Sequence, residues 1–376
     1  MGQLENKKLH EGLALDDNPN HFVIFKDSSS GMEFIRTSRE IMDKGLYFTL
    51  NAYECHVLMD FRDVHENELG QYGQLTAYLG GRGVPSIDQA LKELMLAPIL
   101  NPLRALINVE NMRAIYLSRL SNPDEKLDKD VLSTHAESYQ HFLVAIKDFI
   151  NVTTDIGPIL REEQRGIEAI LKLPYFEQRY PFPGSKHYKK ILNYILENLG
   201  DYPFIWYVLT MWNDLRLIGR LITSKSQYAE ISRSWLDEWG ISRIAQQTFE
   251  ELGLEAQQAQ SGLNIIKLLV EQQNWIDDVD RKTPLSIMED WLSEEDIRTF
   301  LNINRYRGKL WFNKESFESM MWWMMTIALI QLISDPEKSL TEVVETLFDA
   351  YEKIEVILEA QKDSAYQLEK LLEGLK

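Results

Sequence analysis

The stretch LTEVVETLFDAYEKIEVILEAQKDSAYQLEKLLEGLK, residues 340–376, decides the fold class. Alternating steps of four and three from Leu340 meet Val344, Leu347, Tyr351, Ile354, Leu358, Gln361, Ala365, Leu368, Leu372 and Leu375, and only Gln361 is polar. A period of about 3.5 puts these side chains on one stripe of a helix. The other faces are acidic, with nine acids against four bases. Ser339 and Glu342 form a capping box at the start. The spacing therefore predicts one long amphipathic helix over 338–374. Its stripe (Leu340, Val344, Leu347, Tyr351, Ile354, Leu358, Leu368, Leu372) either packs on its own bundle, the preferred reading, or joins two copies in a homodimer.

Working back along the chain, helical periodicity continues. Helices are predicted over 86–97, 102–119, 128–150, 157–172, 186–199, 203–222, 228–238, 241–275, 293–302 and 314–333. Turn chemistry separates them at Ser121-Asn122-Pro123-Asp124, at Pro181-Phe182-Pro183-Gly184 and at Ser334-Asp335-Pro336. Ser86 with Gln89, and more weakly Ser293 with Asp296, mark helix starts. The segments share no repeat period, so the pattern predicts an irregular multi-helix bundle rather than a solenoid. The longest apolar run, Met320 to Ile333, is shorter than the ~20 residues a membrane span needs and reads as a buried helix.

The only β signal lies near the N-terminus, after a polar leader over 1–20. His21 to Lys26 and Met32 to Ser38 flank a hairpin loop, Asp27-Ser28-Ser29-Ser30-Gly31. Leu46 to Leu50 reads as a third strand. In the fourth, Tyr53, Cys55, Val57, Met59 and Phe61 alternate with Glu54, His56, Leu58, Asp60 and Arg62, which predicts a half-buried strand over 53–62. Gly80-Gly81-Arg82-Gly83-Val84-Pro85 makes a turn and lacks the Gly-Lys-Ser/Thr of a phosphate loop. The fold class is thus mainly α, α+β overall: a small antiparallel sheet over 21–85, then a helical domain over 86–376.

Charge and composition narrow the function. A net charge of −18 repels phosphate backbones and anionic membrane surfaces, so neither nucleic acid nor membrane is an expected partner. The single cysteine, Cys55, reads as a small buried residue; it permits no intrachain disulfide and suits a cytoplasmic location. The histidines show no His-Glu-x-x-His spacing, and His135 and His141 lie on different helix faces. His56 reads as solvent-facing or inter-domain. Glu162-Glu163 and Asp277-Asp278 read as solvated faces. No catalytic residue, metal ligand or cofactor site is assigned. The aromatic loop 174–183 offers Tyr175, Phe176, Arg179, Tyr180 and Phe182 as carbohydrate-binding candidates, against the plainer reading that these rings plug the bundle. Asn304 to Glu315 is the one locally basic patch.

The phrases Phe22-Val23-Ile24-Phe25-Lys26-Asp27, Gly45-Leu46-Tyr47-Phe48-Thr49-Leu50, Ala52-Tyr53-Glu54-Cys55-His56-Val57-Leu58-Met59-Asp60-Phe61 and Gly81-Arg82-Gly83-Val84-Pro85-Ser86-Ile87 resemble the region after the barrel in some large α-amylase-superfamily glycoside hydrolases. Asn304 to Glu315 is similar to part of the helical extension that follows there. The resemblance implies a remnant of the C-terminal β-sandwich plus a helical extension. The superfamily's catalytic carboxylates belong to the barrel, and no eight-fold βα pattern exists here. It therefore implies a non-catalytic accessory region that docks on an α-amylase-type barrel, in cis or in trans, or assists α-glucan binding. Two other readings stand beside it. One is a helical assembly module using the 340–375 stripe. The other is an enzyme whose site would be a pair of perturbed carboxylates in a cleft of the bundle.

Overall fold

The computed structural model describes residues 7–376 apart from Thr49, Asn51, Glu54, Pro183, Gly184 and Asp201. The protein is mainly α with a little antiparallel sheet. The chain divides into two compact units, up to Pro98 and from Ile99 onward. The division falls inside a helix rather than at residue 85, because Ala90, Leu91 and Leu94 pack on the sheet.

The first unit holds a turn of helix α1 (Leu9–Gly12), strands β1 (His21–Asp27) and β2 (Glu33–Thr37), helix α2 (Ser38–Lys44), strand β3 (Leu58–His65), helix α3 (Gln71–Leu79) and the first part of α4 (Ile87–Leu106). The sheet order is β2-β1-β3, antiparallel throughout. Its centre is β1, whose residues from Phe22 to Phe25 are all apolar and buried. Phe22 and Ile24 meet Ile35, Leu75, Leu79 and Ile87 on one face, while Val23 and Phe25 meet Ile41, Leu46, Phe48, Leu58 and Phe61 on the other. Both faces are thus covered by the unit's own helices and loop.

Among the described residues of this unit three strands form, not four. Leu46 and Phe48 do turn to one face, as their spacing suggested, but they plug the Phe25 core without pairing as a strand; Thr49 and Glu54 lie outside the described residues. The fourth strand begins later than the alternation suggested. Asp60 takes a left-handed φ of 56°, and the register slips between Ile24↔Arg62 and Lys26↔Met59. This bulge inserts one residue, so the period of two fails and Leu58 and Phe61 share the inner face. The face expected to be buried is instead exposed at Tyr53, Cys55, Val57 and Met59. Ser38 does not extend β2. Thr37 accepts a hydrogen bond from Glu40 N and starts α2. The hairpin loop forms as predicted. Asp27 accepts from Ser29 N, Ser30 N and Ser30 Oγ, and His56 Nδ1 lies 2.8 Å from it. The Ser30 hydroxyl and His56 hold this carboxyl well below the usual range, so His56 is a loop anchor rather than a free surface residue.

The second unit contains the rest of α4, then α5 (Val109–Leu117), α6 (Lys129–Phe149), α7 (Gly157–Lys172), a 3-10 turn Leu173–Tyr175, α8 (Phe176–Arg179), α9 (Lys186–Leu196), α10 (Pro203–Arg216), a 3-10 turn Ile218–Leu221, α11 (Tyr228–Glu238), α12 (Ile241–Glu251), α13 (Ala256–Glu271), α14 (Pro284–Ser293), α15 (Glu295–Phe300), strands β4 (Asn304–Tyr306) and β5 (Lys309–Trp311), α16 (Lys314–Ser334), α17 (Leu340–Asp363) and α18 (Leu368–Gly374). Two helices are buried nearly all round: α16 from Met320 to Ile330, and α10 from Trp206 to its end. Their neighbours include α7, α9, α13 and α17. Trp322 Nε1 donates to Ile195 O at 3.0 Å and Trp275 Nε1 to Met324 O at 3.2 Å, so the indoles bury without an orphaned donor. Among the described residues α16 is the one helix long and apolar enough to cross a membrane, and 72% of its most apolar window is buried within the protein.

Several helix boundaries differ from the pattern. The chain runs helically through Pro98 and Pro102 because Leu96, Ile99, Leu100, Leu103 and Leu106 are buried along it; the break comes at Asn108, which caps α5. The segment 241–275 splits at Gly253, whose φ of 96° suits glycine. Ser293 ends α14 rather than opening a helix. The basic patch folds as the β4–β5 hairpin, so β structure is not confined to the N-terminus. The long C-terminal helix breaks at Ser364–Gln367, where Ala365 and Tyr366 adopt positive φ. That break frees backbone for the hairpin: Phe312 N donates to Tyr366 O at 3.1 Å, and Trp311 bridges Gln367. The stripe is covered inside the chain. Val344, Leu347, Tyr351, Ile354 and Leu368 are buried, and Leu340, Leu358 and Leu372 half-buried.

Phe25 stands among the rings of Phe34, Phe48 and Phe61. Phe25→Ala should cost about 3–5 kcal/mol in the first unit, read as a lower urea midpoint.

Candidate functional site

Three helices of the second unit bring polar side chains into the apolar interior. On α6, His135 and Tyr139 stand one helical turn apart and so share a face. Glu163 comes from α7, and Asn213 and Asp214 from the otherwise apolar α10. His135 is 4% exposed, and Tyr139, Glu163, Asn213 and Asp214 are fully buried. His135 Nε2 lies 3.1 Å from Glu163 Oε1 and 3.0 Å from Asp214 Oδ1.

A second layer fixes these groups. Asn213 Nδ2 donates to Glu163 O at 2.9 Å and approaches Glu163 Oε1 at 3.4 Å. Arg216 Nε donates to Asn213 Oδ1 at 3.3 Å, and its Nη1 to Glu162 Oε1 at 3.0 Å. Arg220 also pairs with Glu162 and reaches the Tyr228 hydroxyl. A methyl group at Gly166 would overlap Asn213, so close approach of α7 to α10 requires glycine there.

The electrostatics are those of a dry site. Burial alone would lower the His135 pKa, but the charge and hydrogen bonds of Asp214 and Glu163 outweigh it and raise the imidazole to about 10. Burial pushes the Glu163 carboxyl up, opposed by His135 and reinforced by the charge and hydrogen bond of Asp214. Burial, reinforced by the Glu163 and Asp214 charges, raises the Tyr139 phenol well above its usual range. Four buried polar atoms have no hydrogen-bond partner: His135 Nδ1, Tyr139 Oη, Glu163 Oε2 and Asp214 Oδ2. Orphans of this kind in one cluster are uncommon. The His135 edge also lines two surface hollows of about 400 and 230 Å³.

None of this cluster was assigned from sequence. Glu162-Glu163 is not a solvated face, since Glu163 turns inward and Glu162 to the arginines. The signal available was Asn213-Asp214 within an apolar run, because polar groups there must find partners.

The residues singled out from sequence lie elsewhere. Phe176 is fully buried, and its ring lies 4.7 Å from that of Tyr180, tilted by 35°. The Tyr175 hydroxyl donates to Ser121 O at 2.5 Å, Arg179 donates to the Glu125 carbonyl, and Phe182 rests 5.7 Å from Tyr188. These five side chains knit the α7–α9 connection to neighbouring segments and form no open aromatic platform.

A separate hollow of about 280 Å³ is lined by Glu271, Trp275, Asp290, Trp291 and Glu294. Burial, then repulsion from Glu294 and Asp296, lifts Glu271 to about 7 against the pull of Arg233. No protein-family model, curated protein or solved structure matches the chain.

A carboxyl raised on folding binds its proton more tightly in the native state, so stability falls as pH rises from about 4.5 through 7. Glu271→Gln should remove that decline. Thermal melts at pH 5 and pH 8 should then differ less than in the parent chain.

Proposed function

We propose that the chain is a non-catalytic, cytoplasmic accessory region of an α-amylase-like glycoside hydrolase, docking on the catalytic barrel through its N-terminal unit and so assisting the enzyme on α-glucan. One observation carries the docking half. Tyr47, Leu50, Tyr53, Val57 and Met59 are all exposed within a short stretch, and Tyr53, Val57 and Met59 belong to the alternation that predicts a half-buried strand. Scattered apolar residues need no explanation, but a run of them is the mark of a covered surface. These residues lie in the very phrases that resemble the post-barrel region. Beside them, β3 has no strand on its outer side among the described residues.

The glucan half draws less support, because the aromatic loop is engaged internally. Assembly through the C-terminal stripe likewise draws none from burial, the stripe being covered by the chain's own helices.

The test mixes the purified chain with a separately expressed α-amylase-type barrel, and in parallel with maltoheptaose, in a calorimeter. The reading predicts a complex with the barrel that Val57→Lys with Met59→Lys weakens about tenfold or more. Absence of binding to both, or a complex indifferent to the two lysines, would contradict it.

A further inference from the structure

The buried His135 cluster has a use independent of barrel docking. We propose that His135 Nε2, Glu163 and Asp214 bind one divalent first-row transition-metal ion, of the zinc or manganese class.

The donor geometry fits. One ligand atom from each residue lies within 4.8 Å of the others. The two separations from Nε2, 3.1 and 3.0 Å, match neighbouring ligands around an octahedral ion with bonds of about 2.1 Å, whose edge is about 3.0 Å, and are shorter than the roughly 3.4 Å edge of the tetrahedral geometry zinc prefers. One imidazole and two carboxylates suit these borderline and hard cations better than copper(I), which wants thiolates.

The unpartnered atoms point the same way. Glu163 Oε2 and Asp214 Oδ2 are buried and unpaired, so each carboxylate has a lone pair free for a second bond to an ion. The Tyr139 hydroxyl, also unpaired, shares the α6 face with His135 and can hydrogen-bond to a ligand oxygen or to a metal-bound water. Charge balances too. Binding displaces to solvent the Nε2 proton and any proton that Glu163 and Asp214 share, and two positive charges then meet two carboxylates beside a neutral imidazole. Glu162 is held by Arg216 and Arg220. Asn213, fixed by Arg216, holds Glu163 in place as an outer layer. Entry is short, since the His135 edge reaches the walls of two surface hollows.

A second group of potential ligands, His21, Asp63 and His65, lies in the first unit with two members exposed, and serves as the control. Chelator-treated, dialysed full-length chain is titrated with zinc chloride and with manganese chloride. Binding, thermal melting and metal content after gel filtration are measured. Glu163→Gln with Asp214→Asn keeps side-chain size, and circular dichroism checks that it folds. The expected result is one equivalent of one of the two metals retained by the parent chain and by His21→Gln with His65→Gln. Affinity in the Glu163/Asp214 variant should fall about 100-fold or more, and its melting temperature should no longer respond to metal. Three results would overturn the proposal: no stoichiometric uptake of either ion, uptake unchanged in a folded Glu163/Asp214 variant, or uptake lost with the His21/His65 pair. The first of these leaves the cluster a buried ion group holding protons only.

Discussion

Two helices that are apolar on almost every side, α10 and α16, set the terms for the second unit. Such a helix is stable in water only when others surround it. The remaining helices of the unit are accordingly amphipathic and wrap inward, and the buried indoles of Trp212, Trp275 and Trp322 donate to backbone carbonyls. Within that scaffold α10 carries Asn213, Asp214 and Arg216, three buried polar residues in a mostly apolar helix. Burying them without partners would cost several kcal/mol. The His135, Glu163 and Glu162 side chains are the answer the fold supplies, and the four orphaned atoms mark where that answer is incomplete.

The first unit rests on a smaller version of the same constraint. β1 is apolar on both faces, so it must lie at the centre of the sheet with a layer on each side. The bulge at Asp60 lets β3 turn both Leu58 and Phe61 toward Phe25. The consequence is outward: residues around Val57 that alternate like a buried strand are left facing solvent.

Much of the fold was legible because it depends on period. The Met/Trp helix, the helices over 128–150 and 157–172, the Asp27 hairpin loop and the Ser339 cap all follow from local spacing. What was not legible depends on contacts between distant segments. A bulge is invisible to an alternation count, so the 53–62 strand was misplaced. The break at Ala365-Tyr366 answers to a hairpin more than fifty residues earlier in the chain. The pattern breaks the helix between residues 97 and 102, yet flanking apolar burial carries it through Pro98 and Pro102. The cluster was hidden for the same reason. His135, Glu163 and Asp214 come from three helices, each polar residue unremarkable on its own, and adjacent Glu162 and Glu163 have opposite surroundings. Asn213-Asp214 in an apolar run and Gly166 one turn from Glu163 were the only local traces.

The most direct test of the central claim is anomalous scattering from a crystal grown with zinc or manganese and measured at the absorption edge of that metal. The account predicts one strong peak between His135 Nε2 and the carboxylates of Glu163 and Asp214. A map with no peak there, and with His135 Nε2 hydrogen-bonded directly to both carboxylates in the presence of metal, would contradict it.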